Sequence, residues 1–335
     1  MHIESPYLLF IGDVTDRLDA KTALGLLDWR RERCAGQLRL PGCALDLGIP
    51  DMSPAQAVAA GVKTLVIGIA PTGGRLPGSW RQAIAAALNV GLHVANGLHT
   101  RLARDPEFAA LAEAHGARIL DLREPPPNLT VASGRRRPGR RLLTVGTDCA
   151  CGKKYTALAV HQAMVSRGWR ASFRATGQTG ILIDGHGIAV DAVVADFVAG
   201  AAETLSPDNA LDHWDVIEGQ GSLFHPAYAG VSLGLLHGSQ PDALVLCHEH
   251  GRERIGDYPD YPVPDLAECA ARNLEAARLT NRGVRLAGVS VNTAKLAAPE
   301  RARVLEDLES RMGVPCVDVV VHGAGRIVDH LASWT

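Results

Sequence analysis

The stretch LLTVGTDCACGKKYTALAVHQAM, residues 142–164, constrains the fold more than any other part of the chain. An apolar, strand-like run leads straight into Gly146. A series of good helix formers begins near Lys153. Between them lies a loop bounded by Gly146 and Gly152. Strand, glycine-bounded loop and helix in direct succession is the setting in which backbone N–H groups converge on a phosphate. The helix start contributes the positive end of its dipole, and Lys153 contributes a cation. The expected phosphate-binding set is Gly146, Thr147, Asp148, Cys149, Ala150, Cys151, Gly152, Lys153, Lys154, Tyr155 and Thr156.

The spacing departs from the common G-x-x-x-x-G-K-[ST]. Five residues separate the two glycines, and Lys154 stands where a Ser or Thr would hold magnesium. Thr156 is the next hydroxyl, two positions further on.

The rest of the chain alternates strand-like and helix-like stretches, which predicts parallel sheets covered by helices. In the first part the strand-like runs are YLLFIG (7–12), KTLVIGIA (63–70), LHVANG (92–97) and ARILDL (117–122). In the last part they are RLLTVG (141–146), RASFRAT (170–176), DVIEG (215–219), DALVLC (242–247), LAGVSVN (286–292) and VDVVVH (317–322). Between the two parts, residues 123–140 carry four prolines and a run of arginines, Arg135-Arg136-Arg137. Proline and glycine oppose regular structure, so this segment is expected to be a linker or a crossing strand between domains. Its arginines are expected to be a solvated connector, with phosphate binding as the alternative. The expected division is a Rossmann-like domain over 1–122, the linker over 123–140 and a P-loop domain over 141–335.

No G-x-G-x-x-G follows the first strand, where the sequence runs Gly12-Asp13-Val14-Thr15, so a dinucleotide site is not expected there. A loop at 70–80, APTGGRLPGSW, follows a buried-type strand. Thr72, Gly73 or Gly74 can touch a ligand at that sheet edge, or the loop is a plain turn.

Other candidate residues fall at strand ends. Glu218 closes DVIE, at a place where an acidic group can sit near phosphates or act as a base, and Gln220 and Gly221 follow it. Asn292 ends LAGVSVN, and its amide can read a base edge or cap the strand. The glycine-rich segment 174–200 offers Gln178 and Thr179 to a substrate. Its Asp191 and Asp196 can hold a cation or an amine, although Asp191 also fits as the cap of a helix starting at Ala192. After the strand at 242–247, His248 and His250 are possible bases, and Arg252 and Arg254 can clamp a carboxylate. Glu218, His248 and Tyr155 are the catalytic candidates.

Composition limits the remaining options. A formal net charge of −2 gives no field that would attract nucleic acid. Seven scattered cysteines do not form a disulfide framework, and Cys149-Ala-Cys151 is too close for a zinc pair, so no metal site is expected. No apolar run is long enough for a membrane helix, and no signal-peptide pattern opens the chain, so a cytoplasmic protein is expected. Symmetric association into a homo-oligomer is expected on general grounds.

Two resemblances add to this reading. The loop is similar to the GTDxxxGKT loop of dethiobiotin synthetase and its relatives, through Thr147, Asp148, Gly152 and Lys153. That likeness implies an ATP- and magnesium-dependent kinase or ligase. Over nearly its whole length, the chain more closely resembles the DgcN family, through GTDCACGKKYTAL (146–158), ATGQTGILI (175–183), GIAVDAVVADFVAGAAE (187–203) and VIEGQGSLFHPAY (216–228). This resemblance implies a Rossmann-like domain followed by a P-loop domain. It also implies N-acetylation of an amino acid, D-glutamate in that family, with acetyl-CoA as donor. A thioester acyl transfer needs no metal, which suits Lys154 in place of the magnesium-binding hydroxyl.

Overall fold

The computed structural model describes residues 3–17, 19–69 and 75–334. Thr72, Gly73 and Gly74 lie outside the described residues. The chain forms two units. The first comprises Met1–Pro126 with Gly177–Ala192, and the second comprises Pro127–Thr176 with Val193–Thr335. The segment 177–192, placed by sequence in the P-loop domain, thus groups with the N-terminal unit.

The first unit is built on five parallel strands. They are β1 (Tyr7–Gly12), β2 (Cys34–Arg39), β3 (Thr64–Ile67), β4 (His93–Asn96) and β5 (Ile119–Asp121), in the order β2-β1-β3-β4-β5. Helices α1 (Lys21–Arg30), α2 (Pro54–Ala59), α3 (Arg81–Asn89) and α4 (Pro106–Ala114) connect them. β1 is buried along its whole length, as expected of a strand covered on both faces. β2 was not foreseen. Its sequence, CAGQLR, is only half-buried, as befits an edge strand, and it lacks a run of β-branched residues.

Segment 177–192 is held in this unit by polar contacts. Its helix carries Thr179, whose hydroxyl lies 3.0 Å from that of Thr22 on α1. Gln178 accepts from Arg123 Nη2 at 3.0 Å. Arg123 is buried, donates to Gly97 O at 2.6 Å, and forms a close ion pair with Asp191. Asp191 therefore neither caps a helix nor stands ready for a cation.

The second unit continues the numbering with β6 (Arg140–Gly146), α5 (Lys153–Ser166) and β7 (Ala171–Arg174). The segment helix just described is α6 (Gln178–Asp184). Then follow α7 (Val198–Leu205), β8 (Trp214–Ile217), α8 (Ala229–Ser239), β9 (Ala243–Glu249), β10 (Arg254–Ile255), β11 (Tyr258–Pro262), α9 (Leu266–Arg278), β12 (Arg285–Asn292), α10 (Ala298–Met312), β13 (Cys316–Val317), α11 (Val319–His322) and α12 (Gly325–Ala332). Six parallel strands run in the order β13-β12-β9-β6-β8-β7, and β10 and β11 form a separate antiparallel hairpin. From β6 the chain first fills one side of the sheet and then the other. The carboxyl end of β6 is therefore the point where the winding reverses, the usual ligand position in such sheets.

Two expectations fail in this unit. VDVVVH is not one strand. After Val317, the Asp318 carboxylate accepts from Val320 N and Val321 N and starts a short helix. The arginines of 135–137 are not all solvated. Arg135 pairs with Asp208 and Arg136 with Asp242, but Arg137 is buried and donates to Ser206, Gly238 O and Ser239 O. All three precede β6, at the amino end of the strand whose carboxyl end carries the loop, so they do not serve a phosphate there. No helix among the described residues is long and apolar enough to cross a membrane.

Candidate functional site

The loop leaves β6 at Gly146 because a side chain there would collide with its own contents. A Cβ would sit 2.6 Å from Cys151 Sγ and 3.1 Å from Lys153 Nζ. Ala150 and Gly152 both take positive φ, turning the backbone into the start of α5. Gly152 is the N-cap and offers no side chain, so no side-chain bond caps the helix. The first-turn amides of a helix have no partner within it, and here the loop leads directly into them. Lys153 is buried, and its Nζ donates to Asp148 O at 2.6 Å. Burial disfavours its ammonium. The sulfur atoms of Cys151, Cys149 and Cys247 and the Asp148 carboxylate outweigh that, so its pKa lies above the ordinary lysine value.

The members of the predicted set have different tasks. Asp148 is fully buried and organises the loop. Its carboxylate accepts from Cys149 N at 2.6 Å, Gly256 N at 2.9 Å and Arg252 Nη1 at 2.7 Å. Thr147 shares a 3.1 Å hydrogen bond with His248 Nδ1, and its carbonyl accepts from Ser222 Oγ at 3.1 Å. Cys151 is buried with its Sγ against Asp148 O and Cys247 O, whereas Cys149 is half-buried. Lys154 lies 5.2 Å from the centre of the Tyr155 ring. Thr156 points into the sheet and donates to Ser290 Oγ at 2.8 Å. Its hydroxyl does not replace the missing metal-binding group.

The walls of the site come from neighbouring strands. Beyond β8, Glu218 is buried and accepts from Thr176 N at 3.0 Å, and the Thr176 hydroxyl donates to Glu218 O. Gln220 Nε2 donates to Thr176 Oγ1 at 3.2 Å. Gly219 is essential here, since a Cβ would lie 1.7 Å from Thr144 O on β6. Near the end of β9, burial foremost, with the nearby Arg252 guanidinium assisting, pushes His248 down to about 4. Arg252 donates to Asp148, to Cys149 O at 2.7 Å and to Glu249. Its fork is occupied within the protein, so it is not a free carboxylate clamp. Arg254 is exposed on β10. Asn292 is exposed at the end of β12, where its Oδ1 accepts from Ala294 N at 3.0 Å, the strand-capping role. Gln178 and Thr179 belong to the first unit, where both are engaged as described above.

His225 was missed by the sequence reading. It is buried, and one ring nitrogen, the Cys149 sulfur and an Asp148 oxygen all lie within 4.8 Å of one another. The donor types suit a metal, but the hydrogen bonds do not. His225 Nδ1 accepts from Ala227 N at 3.1 Å, which places the proton of the neutral ring on Nε2. Neither nitrogen then has a lone pair to give, and Asp148 already holds three donors. Burial foremost, with Lys153 assisting, lowers the His225 pKa and keeps the ring neutral.

The architecture has close counterparts. The Rossmann-like domain description of DUF1611_N matches residues 38–125, and the P-loop domain description of DUF1611_C, a domain of unknown function, matches residues 130–328. A D-glutamate N-acetyltransferase of Tritonibacter scottomollicae is 51% identical over 331 residues, covering 99% of both chains. A D-glutamate N-acetyltransferase of Pseudoalteromonas sp is 47% identical, covering 99% of this chain and 100% of that protein. The crystal structure of a DUF1611 family protein from Anabaena variabilis matches with a TM-score of 0.89 at 36% identity, covering 98% of this chain and 100% of that one. With both domains matched and full-length relatives at this identity, the chain belongs to the DUF1611 family.

Proposed function

We propose that this protein transfers the acetyl group of acetyl-CoA to the amine of D-glutamate, with the loop at 146–156 holding the phosphates of CoA. The full-length relatives named for that reaction support the activity. The observation that carries the cofactor assignment is the loop chemistry. It combines an uncapped helix start with a buried lysine, and Lys154 stands at the position of the metal-binding hydroxyl while Thr156 is turned to Ser290. Such a loop suits a phosphate that is held and not transferred.

In the reaction, the neutral amine of D-glutamate attacks the thioester carbonyl. A C–N bond forms, the C–S bond breaks, and the thiolate leaves. The amine proton passes to a base and, in net terms, to the departing sulfur. Glu218 is the better base candidate. It is a buried carboxylate held at the carboxyl edge by the Thr176 amide. His248 has its Nδ1 engaged with the Thr147 hydroxyl at 3.1 Å and serves to orient Thr147. Gln220 extends the Glu218–Thr176 chain toward the substrate side, and exposed Arg254 remains available to a substrate carboxylate. Tyr155 and the loop amides are the donors proposed for the developing oxyanion.

The test is a single assay with D-glutamate and acetyl-CoA that follows free thiol and ADP in parallel. The proposal expects thiol release without ATP or magnesium. Release of ADP with ATP, and no thiol from acetyl-CoA, would replace it with the ligase-type reading.

A further inference from the structure

Aromatic residues are scarce in this chain, at 4%, yet three of its five tyrosines gather beside the loop. Tyr228 is tilted against His225, with ring centres 4.5 Å apart and planes at 32°. Tyr258 meets the same imidazole edge-on at 5.0 Å, and Tyr261 meets Tyr258 edge-on at 6.2 Å. The inner end of this ladder lies beside the phosphate loop, since a His225 ring nitrogen is within 4.8 Å of an Asp148 oxygen and the Cys149 sulfur. Its outer end is open, with Tyr228 51% and Tyr261 48% exposed.

The segments that carry these rings are tied to the loop and to their neighbours. Gly221 has φ +66, and a Cβ there would lie 2.6 Å from Tyr228 O, so the chain before α8 is pressed against Tyr228. The hairpin of β10 and β11, which carries Tyr258 and Tyr261, hangs from the loop through Gly256 N donating to Asp148. A buried core does not need half-exposed tyrosines stacked outward from an imidazole. A flat, apolar ligand with a hydrogen-bonding edge does.

We propose that this ladder is the platform for the adenine ring of the coenzyme, with Tyr228 and Tyr261 as the contacting side chains. The assignment rests on the acetyl-CoA reading of the loop. It also moves base recognition away from Asn292, whose amide oxygen is occupied by the turn after β12. The chemistry is consistent, since the adenine of the coenzyme is joined through its ribose to the pyrophosphate that the loop would hold.

The experiment compares two donors, acetyl-CoA and acetyl-4′-phosphopantetheine, which keeps one phosphate and the thioester but lacks the adenosine. Both are assayed for thiol release with the wild type and with Tyr228→Ala, Tyr261→Ala and the corresponding Phe variants. The platform predicts that each Ala variant raises KM for acetyl-CoA roughly tenfold, the scale of one lost base–aromatic stack. It predicts no change for acetyl-4′-phosphopantetheine, little change in kcat for either donor, and near-wild-type behaviour of the Phe variants. Equal KM changes for both donors, or none for either, would overturn the platform while leaving the acetyltransferase reading intact. A change in sedimentation with an unaltered KM ratio would assign the tyrosines to self-association instead and would also overturn it. Absence of thiol release from the wild type with either donor would defeat the underlying reading.

Discussion

Arg252 Nη1 donates to Asp148 Oδ2 at 2.7 Å and to Cys149 O at 2.7 Å, so one guanidinium from the end of β9 fixes the shape of the loop that follows β6. Asp148 is fully buried, while the Arg252 side chain keeps 21% of its exposure. Removing the arginine leaves a buried carboxylate with only its two amide donors. Such a loss costs about 3–5 kcal/mol when both partners are fully buried, and less here because solvent reaches Arg252. Arg252→Ala is therefore expected to lower the urea midpoint and to raise KM for acetyl-CoA together. Arg252→Lys is expected to restore stability only in part, since an ammonium cannot reach Asp148, Cys149 and Glu249 with one rigid fork. An unchanged midpoint in Arg252→Ala would show that the contact does not brace the loop.

That contact also shows where sequence reading ends. The strand, loop and helix around Gly146 were legible because their signals are local: apolar run, glycines, helix formers. Arg252 was legible as a functional cation but not as a brace, because its partner lies 104 positions away. The same limit explains segment 177–192, whose place is set by Arg123 binding Gln178 and Asp191 across more than fifty residues. VDVVVH misled because apolar content alone does not separate strand from helix, and the decisive feature was the Asp318 cap. The His225 ladder had a usable signal in the clustering of tyrosine at 228, 258 and 261 in a chain poor in aromatics.

Lys153 is expected to govern coenzyme affinity more strongly than it supports the fold. Its Nζ is buried in the loop, where it donates to Asp148 O at 2.6 Å and to Cys151 Sγ at 3.7 Å. Lys153→Met keeps the stem and removes the charge. Calorimetry with CoA should show binding weakened roughly 10- to 100-fold, the size of one charge-assisted hydrogen bond, in a variant that still unfolds in one cooperative transition. Unchanged affinity would count against phosphate binding at this loop.

Thr156 separates the structural hydroxyl from a metal-binding one. Thr156→Val removes the bond to Ser290 and leaves that buried hydroxyl without its donor, at a cost of about 1–3 kcal/mol. Turnover of acetyl-CoA should stay near wild type at temperatures where the variant is folded. A loss of turnover that added magnesium reverses would return Thr156 to the reaction centre.

His248 makes stability pH-dependent in a defined direction. Its folded pKa, about 4, lies below the ordinary histidine value, so between those limits the unfolded chain binds the extra proton. The contribution is complete above the unfolded value and is lost as pH falls from about 6.5 toward 4. His225, also shifted downward, adds to the same slope. Urea unfolding at several pH values should show stability falling across this window for the wild type. His248→Asn, which retains a polar group for Thr147, should flatten the slope without abolishing it. A slope identical to wild type would show that His248 does not stay neutral in the folded chain.

Gly219 is the strictest steric requirement of the site, and it can be tested against a second glycine of the same unit. A Cβ at Gly219 would stand 1.7 Å from Thr144 O and 2.8 Å from Thr144 C, both backbone atoms of β6. No rotamer relieves that clash. The chain after β8 must move away from β6, breaking the Gly219 N to Thr144 Oγ1 bond of 2.9 Å and displacing Glu218, one residue earlier. Gly230, in α8, has no atom within 4 Å of its Cβ position. There an alanine only adds helix propensity, worth about 0.5–1 kcal/mol in favour of folding. Gly219→Ala is thus expected to lose both stability and acetyl transfer, and Gly230→Ala to gain a little stability with unchanged turnover. If Gly219→Ala folded as firmly as the wild type yet still lost activity, the backbone shift would be confined to Glu218, and the carboxylate's position would be the quantity that the glycine protects.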